Sequence, residues 1–159
     1  MLELVAPGSD RQEQFGSILD RVLDTTRGDC LPRGRGWKLD PLIDVRLLIK
    51  LGHEYNGVVI LHRDLAGGSV DVFLGLLLEM RGACLTSTIC ALVRDYAFKQ
   101  LGVHRITANA YSSNPASLTL LKKFMVHEGT FREDCQFGGR WLDRHFYGLL
   151  RSDNSEDPA

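Results

Sequence analysis

The sequence predicts a mixed α/β domain, with one central sheet of about six strands flanked by helices. Three observations carry this. Apolar residues alternate or run together over strand lengths in VRLLIKLG, GVVILHRD and HRITANAYS. Two other stretches repeat their apolar residues at helical spacing. Near the middle a strand, a helix and a strand follow one another, which predicts a parallel, right-handed unit.

The elements follow in order. From about Asp10 to Thr25, Phe15, Ile18, Leu19, Val22 and Leu23 share one helical face, with Ser9 or Asp10 as cap. RGDCLPRGRGWKLDP is rich in Gly, Pro and Arg and reads as a long loop, a feature that often serves function. VRLLIKLG and GVVILHRD are two strands, and Asn56-Gly57 is the hairpin-turn signal between them. DLAGGS marks a second turn. SVDVFLGLLLEM is a third strand, apolar enough in its second half to be buried on both faces. A helix is expected from near Ala83 to about Leu101, with Leu85, Ile89, Leu92, Val93, Tyr96 and Ala97 on one face and Gly102 at its end. HRITANAYS is a strand. SSNPASLTLLKKF is a helix capped by Ser113 or Asn114, with Pro115 at its first position. The remainder folds as two strands about Gly138-Gly139.

The 159 residues suit one core, so residues 1–150 are expected to form a single domain and the polar tail 151–159 to be disordered. A formal net charge of -1 gives no global field to draw nucleic acid or an anionic membrane. No apolar run reaches bilayer length, and MLELVAPGSDRQEQ has no signal-peptide pattern, so a cytoplasmic protein is expected. Cys30, Cys84, Cys90 and Cys135 form no CxxC pair, so reduced thiols and no zinc site are expected. His53, His62, His104, His127 and His145 show no ligand spacing, and no metal is assigned to them.

From Arg81 to Leu150 the chain resembles the GCN5-related N-acetyltransferase (GNAT) superfamily, nearest to its branch acting on ribosomal-protein N-termini. The resemblance is densest in DYAFKQLGVHRITANAYSSNPASLTLLKK and in HEGTFRED followed by GGRWLDRHFYGLL. Before Arg81 it rests on element order alone. It implies acetyl coenzyme A, or another acyl thioester, as donor and a small amine or peptide N-terminus as acceptor. It also implies a pyrophosphate loop of the pattern Arg/Gln-x-x-Gly-x-Gly/Ala opening a helix. A helix N-terminus offers unpaired N–H groups to an anion, and glycine lets the backbone come close.

Laid on that pattern, Arg81 fits the first position, Cys84 replaces the glycine and Thr86 the Gly/Ala. Gly82, Ala83, Cys84, Leu85 and Thr86 would still present N–H groups. A positive φ at Cys84 would cost about 1–2 kcal/mol. The chain departs from the family twice more. Lys123 to Gly129 lacks the helix-ending glycine and is one residue short, and LLLEMRG runs straight into the loop.

Amide formation from a thioester needs a neutral amine, an oxyanion site and a proton for the thiolate. By resemblance, Asn114 would bond the cofactor arm and Ser117 would donate that proton. Set against this, Asn114 would merely cap the helix and Ser117 face solvent. Tyr147 is a second donor candidate or a packing residue. Glu79, Asp71 and Glu54 are candidate bases. Glu79 stands out because burial beside GLLL would raise its pKa, the alternative being an ion pair with Arg81 or exposure. Cys84 at a helix N-terminus would favour its thiolate, and as a small buried hydrophobe would not. Cys90 reads as core and Trp141 as packing. Trp37 would line the acceptor cleft, and Arg33, Arg35 and Lys38 would attract an anionic substrate or simply be solvated.

The leading reading is an acyl-CoA-dependent N-acetyltransferase working in a V-shaped opening between parallel strands, with a homodimer as an open option. The altered loop leaves two alternatives: the same fold with another acyl carrier or a non-acetyl reaction, or a non-catalytic binding protein.

Overall fold

The computed structural model describes residues 1–25, 43–64, 68–81 and 85–153. Seven strands form one sheet in the order β1-β2-β3-β4-β5-β7-β6. They are β1 (Leu2–Val5), β2 (Asp44–Leu51), β3 (Glu54–Asp64), β4 (Ser69–Leu76), β5 (Arg105–Tyr111), β6 (Val126–Phe137) and β7 (Arg140–Leu150). The helices are α1 (Gln12–Thr25), α2 (Thr86–Asp95) and α3 (Pro115–Phe124). β4 and β5 pair in parallel, as the strand–helix–strand reading requires, and the other neighbours are antiparallel.

The sheet separates two apolar layers. On one side Phe15, Ile18, Leu19 and Val22 of α1 pack on Leu48, Val58, Ile60 and Leu77. On the other Ile89 and Val93 of α2, with Ala97 and Phe98, pack on Leu47, Ile49, Val59, Leu61, Val70 and Ile106. β2 and β3 are therefore buried on both faces, which is why their sequences run apolar without alternating. Gly75 lets α1 sit close: a Cβ there would lie 2.4 Å from Val22 Cγ1.

The seventh strand is β1, which the sequence reading left out. Four residues are too few to show a period. Pairing with β2, from Leu2 opposite Leu51 to Val5 opposite Leu48, makes it a strand. The β2–β3 turn falls at Gly52-His53, with Gly52 at φ 65°, and not at Asn56-Gly57. Asn56 sits where the β2–β3 register slips between Ile49 and Lys50. Gly57 is a packing glycine, since a Cβ would meet the Gly75 carbonyl oxygen at 2.4 Å.

Other boundaries also move. A 3-10 turn, Ser9–Arg11, precedes α1 and is entered from Gly8 without a side-chain cap. β4 stops at Leu76, and LEM forms a second 3-10 turn, Leu78–Met80. The α2 helix passes into a wider π turn at Tyr96–Gln100, where the Leu101 N–H reaches back to the Tyr96 carbonyl at 3.1 Å. Arg151 stabilises this end by donating to the Phe98 and Val103 carbonyls at 2.5 and 2.9 Å. The tail thus begins with an ordered 3-10 turn, Arg151–Asp153. Trp141 is 57% exposed and does not pack in the core.

Cys135 is disulfide-bonded, which corrects the expectation of reduced thiols. Cysteine spacing along a chain does not say which sulfurs meet in space. Cys90 is free, half-buried in α2, and burial pushes its thiol up to about 11. No helix among the described residues is long and apolar enough to cross a membrane.

Candidate active site

β4 and β5 are joined over three residue pairs only, Ser69–Arg105, Val70–Ile106 and Asp71–Thr107. β4 then continues along β3 to Leu76, and β5 along β7 to Tyr111. The two strands part beyond Asp71 and Thr107. Among the described residues β4 and β5 share no further ladder pairs, which leaves a wedge that a ligand's polar groups can enter. This is the V-shaped opening expected from the sequence.

On the α1 face, four polar side chains form a row at the closed end of the wedge. Strand register places Asp44 opposite His62, His62 opposite Asp71, and Asp71 opposite Thr107. His62 Nδ1–H donates to Asp44 Oδ1 at 2.7 Å. The Asp44 side chain is only 4% exposed, so the imidazole is held by an enclosed carboxylate. Thr107 Oγ1–H donates to Asp71 Oδ1 at 2.9 Å. Asp71 keeps one edge open to solvent and is crowded by protein elsewhere. That desolvation raises its carboxyl pKa above the ordinary value. The Thr107 hydrogen bond and the neighbouring His62 and Arg144 pull it the other way.

Further along the same face, Arg144 lies against the Tyr111 and Phe146 rings and is ion-paired with Asp134. Burial raises the Tyr111 phenol pKa, and Asp134, which accepts its O–H, adds to the rise.

The α2–α3 face carries helix N-termini and hydroxyls. Among the described residues Leu85 precedes α2 without a side-chain cap, and a helix start of this kind offers N–H groups to an anion. Lys123 reaches across from α3 to donate to Ser87 Oγ at 3.1 Å, placing a cation beside that turn. Arg81 Nε–H donates to the Leu76 carbonyl at 3.3 Å. Gly82, Ala83 and Cys84 lie outside the described residues, as do Cys30, Trp37 and the Arg33, Arg35, Lys38 cluster. Asn114 caps α3, its Oδ1 accepting the Ser117 N–H at 3.0 Å. Ser117 is half-buried in the first turn of α3. Among the described residues Ser113 Oγ is buried and has no hydrogen-bond partner. An orphaned hydroxyl beside an N-terminus and an uncapped helix start fits a ligand with phosphate and amide groups.

Two candidates take the places that the sequence reading offered as their alternatives, exposure for Glu79 and packing for Tyr147. Glu79 is exposed and pairs with Arg21 at 3.5 Å, because the 3-10 turn after β4 swings it outward. The apolar enclosure expected of it is absent. Tyr147 is only 1% exposed, opposite Ala108 of β5 and packed against the His127 ring at 5.1 Å. Glu54 opens β3, at the end of that strand away from His62 and the row. The sequence reading missed Asp44 and His62 as a pair, and Arg144 with Asp134. Each pair is 18 or 10 residues apart in the chain and meets only through strand register.

Among the described residues no cluster of three or more His, Cys, Asp or Glu is placed to hold a metal. A cavity of about 270 Å³ between β1 and α2, lined by Leu2, Leu4, Leu92 and Tyr96, is on a remote edge of the sheet and takes no part.

Comparison with known proteins fits this geometry. No protein-family model matches the chain. Over 103 residues, 63% of this chain and 57% of the relative, it is 31% identical to the probable N-acetyltransferase YjcK of Bacillus subtilis. Over 62 residues, 38% of this chain and 36% of the relative, it is 32% identical to the uncharacterized N-acetyltransferase YnaD of the same organism. The matched segments thus span about half or less of those relatives' length. Among solved structures, spermidine N-acetyltransferase from Vibrio cholerae in complex with CoA and spermine superposes with a TM-score of 0.78. The identity is 20%, and 96% of each chain is covered. Spermidine/spermine N-acetyltransferase SpeG from the same organism, in complex with manganese ions, gives 0.76 at 18% identity, covering 98% of this chain and 95% of that one. The chain therefore has the fold of the GCN5-related N-acetyltransferases. The curated proteins that it resembles in sequence carry the N-acetyltransferase name.

Proposed function

We propose that this chain is an acyl-CoA-dependent N-acetyltransferase that acts on a small amine or a peptide N-terminus by direct attack on the thioester. The observation that carries this reading is the parting of β4 and β5 after Asp71 and Thr107, with carboxylates on one face and helix N-termini on the other. The N-acetyltransferase names of the sequence relatives and the CoA and spermine in the V. cholerae structure support it.

Acetyl coenzyme A, when bound, supplies an activated acyl group. The first turn of α2 from Leu85 and Thr86, with Lys123 and Arg81 near it, would hold its phosphates. Ser113 and the start of α3 would take the polar groups of its arm. Asn114 positions Ser117 by capping α3, and the Ser117 hydroxyl is the proton donor to the departing thiolate. Open backbone N–H groups of β4 polarise the acyl carbonyl.

On the other face the Asp71 carboxylate receives the ammonium of the acceptor and then its proton. The crowding that raises its pKa suits it to the second task, because it favours the neutral form. His62, next in the row and 59% exposed at its side chain, passes the proton to solvent while Asp44 holds its ring. Tyr147 walls the α3 side and is too enclosed to meet the acceptor.

Calorimetric titration with acetyl coenzyme A, with desulfo-coenzyme A as control for thiol exchange at Cys84, tests the reading. Micromolar binding is expected, followed by turnover in an amine screen. No binding at millimolar ligand overturns it.

A further inference from the structure

Asp71 and Arg144 share the α1 face, on opposite sides of the split. Asp71 is opposite Thr107, and Arg144 is opposite Tyr111, farther along β5. The Arg144 guanidinium lies against two aromatic rings of this face. Its guanidinium carbon is 5.3 Å from the centre of the Tyr111 ring and 5.5 Å from that of Phe146, a residue opposite Asn109. Strand register sets both side chains on this one face, with β5 between them.

The chain distorts to hold Arg144 in this pose. β6 slips register between Phe131 and Cys135, and Glu133 adopts φ 53°, a left-handed conformation that is costly for a residue with a Cβ. Asp143 Oδ1 accepts the Glu133 N–H at 2.8 Å and fixes the bulge. The bulge turns Asp134 onto Arg144. Nε and Nη2 donate to the same Asp134 Oδ2 at 2.8 and 2.5 Å, and the Tyr111 hydroxyl donates to it at 3.2 Å. Asp134 thereby occupies one edge of the guanidinium. Nη1 has no hydrogen-bond partner among the described residues, and the Arg144 side chain is 30% exposed. A rigid, half-buried donor edge between two rings calls for an oxygen acceptor.

We propose that the acceptor is an amino carboxylate, with its amino group at Asp71 and its carboxylate on the free edge of Arg144. This rests on the acetyltransferase reading and names its substrate class. It also separates this chain from an enzyme for polyamines. A polyamine brings no anion, and its second ammonium would meet a fixed cation.

The test uses matched pairs of acceptors, an amino acid and the amine left by its decarboxylation, with spermidine as a third. kcat/KM is measured at saturating acetyl coenzyme A for the parent protein, R144Q and R144K. Binding of the amino acid to the protein alone is followed by saturation-transfer NMR. The parent is expected to favour the amino acid by about tenfold or more, the scale of one charge-assisted contact. R144Q brings that ratio to about one, and R144K restores part of it, keeping the charge without the fork. A parent that favours the decarboxylated amine or spermidine overturns the proposal, as does a ratio that R144Q leaves unmoved. Acetylation of amines without carboxylate preference ends this proposal and leaves the acetyltransferase reading standing. Arg144-dependent amino-acid binding with no acetylation overturns the acetyltransferase reading and this proposal with it, as does the absence of both binding and acetylation.

Discussion

The α1 face of the split gathers charge, in Asp44, His62, Asp71, Asp134 and Arg144. The α2–α3 face gathers helix N-termini and hydroxyls, in the first turn of α2 and in Ser113 and Ser117, with Lys123 beside them. The two faces meet at the three-pair junction of β4 and β5. The contrast shows how the sheet divides its work. Carboxylates suit a cationic amine that must lose a proton. Helix N-termini and hydroxyls suit phosphates and a developing anion without adding a titrating group. The same strands serve both because side chains alternate between faces.

The largest effect that would challenge this division is at Asp71. Asp71→Asn keeps an oxygen to accept the Thr107 hydroxyl but removes the charge. A loss in kcat/KM of about 10²–10⁴-fold is expected, with acetyl coenzyme A affinity unchanged by calorimetry. Equal loss on both measurements would mean that the two faces are not separate. Stability gives an independent check. The folded carboxyl has a raised pKa, so between the ordinary value and that raised one the folded state holds a proton the unfolded chain has released. Stability of the parent therefore falls as pH rises through that window. Asp71→Asn should melt higher than the parent above the window, and the two melting temperatures should converge below the ordinary carboxylate value.

A smaller effect is expected on the other face. Asn114→Ala removes the cap of α3 and should cost about 1 kcal/mol in chemical denaturation. It should also weaken acetyl coenzyme A binding while leaving the KM of the amine unchanged. A raised amine KM would show that α3 serves the acceptor too. The smallest effect belongs to Glu79. Its pair with Arg21 is exposed, so Glu79→Gln should change stability by less than about 0.5 kcal/mol and leave the rate unaltered. A large fall in kcat would place a base after β4 and move proton transfer away from Asp71.

Much of the fold could be read in the chain. α3 was legible because its signals are local: Asn114 caps it and Pro115 fills its first position. The β6–β7 turn was legible in Gly138-Gly139, both at positive φ. Asn56-Gly57 carried an equally strong turn signal and misled, because Gly57 answers to the Gly75 carbonyl across the sheet. Glu79 misled for a related reason. The apolar run before it looked like continuing strand, but β4 ends at Leu76 and the next turn faces solvent. Of the candidate site, Asn114 and Ser117 were named through the family resemblance of the stretch SSNPASLTLLKK. Asp71 was named as one of three bases, without the row that gives it a setting.

Local sequence was enough for the order of the helices and strands after β1 and for the two helix starts at the split. These depend on neighbours a few residues away, through periodicity, caps and turns. The chemistry of the α1 face was settled only by tertiary contacts. Asp44, His62, Asp71 and Thr107 come from four strands, and their row exists only in one register. A slip of one residue in any pairing would send a member to the opposite face. The Asp134–Arg144 clamp likewise needs a bulge at Glu133 that no local spacing announces. Contacts of this kind are set by where strands meet, and that is fixed by burying both apolar layers at once.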